Sequence, residues 1–181
     1  MKKNILILPG IGSSGPKHWQ TLWEQSNPSF VRVHQKDWYT PVCSDWISEL
    51  EVAVAQSGPD TILVAHSMAC LLVAHWAAVS TLSVSSALLV AVPDPDGPFF
   101  PSGTTGFSTL PQTRLPFQSI VVASVNDCFG SAEFNRRCAE HWGSRFVSIG
   151  ADGHINADSN LGDWPQGFEL LKSLSQLPLQ K

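Results

Sequence analysis

The chain has 181 residues, 43% of them hydrophobic and 14% charged, and a formal net charge of −4. That length and composition fit one soluble domain able to bury a core without disulfide or metal staples. With no basic block, the charge argues against nucleic acid or an anionic membrane as partner, and no apolar stretch approaches the roughly 20 residues of a membrane helix.

The N-terminal apolar run is too short for a signal-peptide core, which predicts a cytoplasmic protein. Cys43, Cys70, Cys128 and Cys138 form no C-x-x-C pair, so reduced thiols are expected. Taken in chain order, Asn4–Leu8 reads as a strand buried on both faces. A Gly/Ser loop follows. Pro16 suits a first helical position, with Trp19, Leu22 and Trp23 as the apolar face. Phe30–Val33 is a weaker strand. Val42, Trp46, Ile47, Leu50 and Val54 mark a second helix. Thr61–Ala65 predicts a strand that runs directly into an apolar helix from Met68 to about Ser80. Ala87–Val92 predicts another strand.

Residues 93–117 then break the pattern. Pro93, Pro95, Pro98, Pro101, Pro111 and Pro116 exclude long regular structure, and the segment reads as a lid-like insertion. Beyond it, Ser119–Val125 and Arg145–Ile149 predict strands. Between them Ser131 caps a helix with Phe134, Cys138 and Trp142 on its inner face and Gly143 at its end. Asp163 caps the last helix, with Pro165 in its first turn and Phe168, Leu171 and Leu174 facing inward. This alternation predicts an α/β fold in a single domain, residues 1–181. Its core is a mostly parallel central sheet of about six strands with helices on both faces.

The sharpest signal is Leu63-Val64-Ala65-His66-Ser67-Met68-Ala69-Cys70, a strand meeting a helix at a serine. In α/β hydrolases the nucleophile sits on such a turn, usually within G-x-S-x-G; here Ala65 and Ala69 stand in for both glycines. Read alone, Ser67 is equally a helix N-cap. The rest of a triad appears in the order that fold requires, serine then acid then histidine. Asp127 follows an apolar strand at its C-terminal end, and His154 follows the next strand through Gly150-Ala151-Asp152-Gly153. An imidazole can take the serine proton near neutral pH, and a buried carboxylate fixes its tautomer. Asp94 and Asp96 are rival acids in a lid-like setting. His66 is the rival base, but it is expected to point away from the Ser67 hydroxyl and to pack behind the site. Oxyanion donors are expected at the backbone N–H of Met68 and in the loop after the first strand, at Ile11 with Gly12 second. Phe99, Phe100 and Phe107 are candidates to line an acyl pocket or to pin the lid. Cys70 and Cys138 read as core thiols. No metal-ligand spacing is present, H-E-x-x-H is absent and no phosphate-loop motif occurs.

At these residues the chain resembles the small serine hydrolases related to retinoblastoma-binding protein 9 and the bacterial YdeN-type proteins. The resemblance is carried by Pro9-Gly10, Pro16-Lys17-His18-Trp19, Asp37-Trp38, Ala65-His66-Ser67 and Ser124-Val125-Asn126-Asp127. Gly153-His154-Ile155-Asn156 and Gly162-Asp163-Trp164-Pro165-Gln166-Gly167 carry it further. It implies a compact α/β hydrolase with Ser67, Asp127 and His154 as triad and no cofactor. Ala69 replaces an expected glycine, and Cys128 stands where a proline often follows the acid. Arg136-Arg137-Cys138-Ala139-Glu140 lacks the leucine of L-x-C-x-E, so a retinoblastoma-type partner is not carried over. The expected activity is hydrolysis of small-molecule carboxylic esters, or of thioesters or amides, through an acyl-enzyme. The alternatives are a non-catalytic interaction module on the same fold and an acyltransferase.

Overall fold

Each of the six apolar runs becomes a strand of one sheet in the computed structural model, which describes residues 3–175. Residues 1–2 and 176–181, the ends of the expected domain, lie outside the described residues. In chain order the elements are β1 (Asn4–Leu8), α1 (Trp19–Ser26), β2 (Phe30–Arg32), α2 (Cys43–Ser57), β3 (Thr61–His66) and α3 (Met68–Val79). They continue as β4 (Ser86–Val90), β5 (Gln118–Ala123), α4 (Ala132–Trp142), β6 (Arg145–Ser148) and α5 (Pro165–Ser175). The sheet order is β2-β1-β3-β4-β5-β6, and every pairing is parallel.

The period-two alternation of strand side chains divides the core. Leu6, Leu8, Leu63, Ala65, Ala87, Leu89 and Val121 face α2, α3 and α4. Ile5, Ile7, Ile62, Val64, Leu88, Val90, Ile120 and Val122 face α1 and α5. Burial on both faces explains why β1, β3, β4 and β5 read as continuous apolar runs. Because β1 leads outward to β2 and β3 leads the other way, the topology switches between β1 and β3, where parallel sheets open a crevice at their C-terminal edge. Among the described residues no helix is long and apolar enough to cross a membrane.

Helix ends differ from expectation in two places. Helix α1 begins at Trp19, and Pro16 lies in the turn before it, because the imidazole of His18 caps the helix by accepting from the Gln20 N–H. Trp164, with φ 43°, rather than Asp163 precedes α5. By contrast Ser131 Oγ does accept from Phe134 N–H, and Gly143 ends α4 in the left-handed conformation.

Residues 93–117 contain no helix or strand, but they are not loose. Thr105 exchanges backbone hydrogen bonds with Pro41 and Cys43 at the start of α2. Phe107 is fully buried, with Trp46 and His75 ring centroids 5.9 and 6.0 Å away. Past β4 the chain is tied down by Asn135 of α4. Its amide accepts from Val92 N–H and donates to the carbonyls of Val92 and Gly130. A Cβ at Gly130 would collide with the Val92 carbonyl oxygen and lie 3.1 Å from the Asn135 amide nitrogen. Gly130→Ala is therefore expected to destabilise the fold by at least about 2 kcal/mol, read as a lower urea midpoint. An unchanged midpoint would mean that the backbone at Val92 yields freely.

Candidate active site

Strand β3 ends at His66 and helix α3 begins at Met68, so Ser67 alone makes the turn. Its φ of 56° and ψ of −125° put a non-glycine residue in sparsely populated backbone space. Its N–H donates to the Val90 carbonyl at 2.9 Å. Although Ser67 holds the N-cap position of α3, its hydroxyl makes no capping bond. It lies instead 2.8 Å from Nε2 of His154. The close approach beneath this turn comes from the loop after β1. A Cβ on Gly10 would stand 2.9 Å from Ser67 Cβ and 3.0 Å from the His66 carbonyl oxygen, so only glycine fits. The methyls of Ala65 and Ala69 are accommodated in the core, fully buried.

Nδ1 of His154 lies 2.8 Å from Oδ2 of Asp127, whose side chain is 1% exposed. The other carboxylate oxygen of Asp127 accepts from Phe129 N–H at 2.9 Å. Ser67, His154 and Asp127 thus form one unbroken line across the C-terminal ends of β3, β4 and β5. The loop that carries His154 is anchored to the end of β5. Ser124 Oγ accepts from Asp152 N–H, and Asn126 Oδ1 accepts from Gly153 N–H, each at 2.8 Å. Asp94 turns back into its own loop, accepting from Asp96 N–H, and neither aspartate bonds to His154 among the described residues.

These groups open onto a cleft of about 320 Å³. Ile11 and Met68 line it, and neither backbone N–H has an acceptor among the described residues: Ile11 makes no such bond, and Met68 heads its helix. Gly12 does not belong with them. Its N–H donates to the Trp38 carbonyl at 3.0 Å. From the irregular segment the cleft takes Pro93 and Pro101. None of Phe99, Phe100 and Phe107 lines it. The aromatic wall is Phe129, whose ring centroid is 4.5 Å from that of His154.

Four further residues build the site, and two of them, Gln20 and Ser14, carry no sequence signal of their own. Gln20 is completely buried, and its amide donates to the carbonyls of Leu8 and Val64, bridging the ends of β1 and β3. Ser14 donates to the same amide's oxygen, which fastens the loop carrying Ile11. His18 and His66 pack edge to face, with ring centroids 4.6 Å apart, and His66 sits 5.0 Å from His154. Burial, helped by the Arg32 and His154 charges, pushes His18 down to about 3. Burial likewise holds His66 well below the ordinary histidine range, so both rings are neutral. Among the described residues no three His, Cys, Asp or Glu side chains gather as a metal site would require. Cys43, Cys70 and Cys138 are buried thiols, and Cys128 is exposed beside Asp127.

No curated protein sequence matches the chain. Among solved structures, a protein from Pectobacterium atrosepticum described as a YdeN-like hydrolase superposes with a TM-score of 0.83. It is 27% identical over 97% of this chain and 91% of its own. The ydeN gene product of B. subtilis superposes with a TM-score of 0.81 at 19% identity, over 96% of this chain and 98% of its own. An esterase from Thermogutta terrifontis shares the fold, with a TM-score of 0.68 at 13% identity over 97% and 92% of the two chains. The serine hydrolase family model matches residues 5–173, and with nearly the whole chain inside that match this protein belongs to the serine hydrolase family.

Proposed function

We infer that the protein hydrolyses small carboxylic esters through an acyl-enzyme on Ser67. The observation that carries this reading is the line of hydrogen bonds from Ser67 Oγ through His154 to Asp127, each 2.8 Å long. A serine in strained backbone, with its hydroxyl spent on an imidazole rather than on its own helix, is arranged for chemistry at a cost to local stability.

His154 Nε2 accepts the Ser67 proton as Oγ attacks the ester carbonyl. Asp127 holds the proton on Nδ1 and stabilises the imidazolium that results. Negative charge on the tetrahedral oxygen meets the free N–H groups of Ile11 and Met68, each donor of this kind being worth about 3–4 kcal/mol. His154 then protonates the leaving alcohol, and a water activated by the same nitrogen releases the acid. Ile11, Met68, Pro93, Pro101 and Phe129 give the cleft apolar walls for a short acyl chain, and its volume is at the small end for ligand sites. A solved type II thioesterase and a solved monoacylglycerol lipase share the fold, so thioesters and short glycerides belong in the first substrate screen.

A fluorophosphonate probe is expected to label the wild-type protein and to fail on Ser67→Ala and His154→Ala. A folded wild type that resists the probe would remove the triad reading. Asp127→Asn should keep the fold and lower kcat by about 10³–10⁴; a loss under tenfold would point to a different acid. Across p-nitrophenyl esters, kcat/KM should be higher for short acyl chains than for long ones, as expected of a cleft at the small end for ligand sites. A maximum at long chains would contradict the assignment of Phe129 and the two prolines as its wall.

A further inference from the structure

We propose that His66 is a positioning residue that fixes the base relative to the nucleophile by holding the backbone carbonyl of His154. Resting on the triad reading above, the proposal starts from one hydrogen bond. Nε2 of His66 lies 2.9 Å from the carbonyl oxygen of His154, 88 residues away in the chain. A carbonyl oxygen can only accept, so the imidazole donates, and its proton is assigned to Nε2. With the ring buried and neutral, that leaves a single tautomer.

The loop receiving this bond is strained. Gly153 and Ile155, on either side of His154, have φ of 57° and 49°. For a β-branched residue such as Ile155 a positive φ is a genuine outlier. Strained backbone persists only where its surroundings over-determine it. Here the Ile155 side chain is fully buried, and two ring N–H groups hold consecutive carbonyls: His66 on that of His154, and Trp19 Nε1 on that of Ile155, 2.8 Å away. The two anchors are not equivalent. His66 is bonded covalently to Ser67, so its hydrogen bond closes a ring that runs Ser67, His66, His154 and back through the 2.8 Å contact between Nε2 of His154 and Oγ of Ser67. Movement of the His154 backbone away from Ser67 must break the hydrogen bond from His66. Trp19 anchors the loop to α1 and does not fix this separation directly.

A residue that merely packed against His18 and His154 would need its ring and not its proton. The two roles separate in a pair of variants. His66→Phe keeps a ring and removes the donor; His66→Gln removes the ring and keeps an N–H at similar reach. Using the best ester of the screen, His66→Phe is expected to lower kcat by about 10- to 100-fold with KM within about twofold, as a misplaced base would. His66→Gln is expected to recover most of that loss. A His66→Phe enzyme with unchanged kcat, or a folded His66→Gln enzyme no better than His66→Phe, would overturn the proposal.

A second measurement needs no variant. In ¹⁵N-histidine NMR spectra of the wild-type protein at neutral pH, His66 should appear as the neutral Nε2–H form. A proton on Nδ1 would overturn it. This readout does not depend on catalysis. Failure of the triad reading would show as absent probe labelling of the wild type, whatever tautomer His66 adopts.

Discussion

Everything at the cleft depends on the left-handed backbone of one serine. At Ser67 the chain must leave β3 and enter α3 within a single residue, and no relaxed conformation does so. The turn survives because it is gripped from three sides. The Val90 carbonyl takes its N–H, the bare backbone of Gly10 lies against its Cβ, and His154 engages its hydroxyl. Gln20 holds the same fork from beneath by spanning the carbonyls of Leu8 and Val64. Strain at Ser67 is thus a property of the β1–β3 junction, where the sheet changes direction, and not of the serine alone.

This arrangement accounts for the two alanines in Ala65-His66-Ser67-Met68-Ala69. A glycine two residues from the nucleophile is one way to let strand and helix pass; another is to give the neighbouring loop no side chain. Here Gly10 supplies the clearance, and Ala65 and Ala69 contribute methyls to a closed core.

Much of the architecture was legible because it is written in local pattern. Parallel strands covered on both faces must be apolar throughout, so Asn4–Leu8 and Thr61–His66 announce themselves. Ser131 and Gly143 mark the ends of α4 by chemistry that operates within one turn of helix. Asp127 and His154 were legible as candidates from their place just after strands. What stayed hidden was decided by contacts far apart in sequence. Gly12 looked like an oxyanion donor, but only the fold brings the Trp38 carbonyl to its N–H. Pro16 looked like a helix start, and the unexpected use of the His18 imidazole as a cap moved the boundary to Trp19. Gln20 carries a residue type usually found in solvent, so nothing in its neighbourhood marks it as buried. Phe107 and Phe129 are indistinguishable as letters, yet one anchors the irregular segment in the core and the other stands against the imidazole.

The stitching of that irregular segment to the start of α2 has a consequence for how such a protein can diversify. Thr105 and Phe107 are fixed, and Asn135 holds the chain where it leaves β4, so the stretch between is a span with both feet planted. It contributes Pro93 and Pro101 to the cleft but none of Ser67, Asp127 and His154. Lengthening, shortening or rewriting that span remodels the cleft wall while the strained serine and its partners stay where the sheet puts them. Variation in the cleft wall and constancy in the hydrogen-bonded line of Ser67, His154 and Asp127 are thereby assigned to separate stretches of chain, open to change independently of one another.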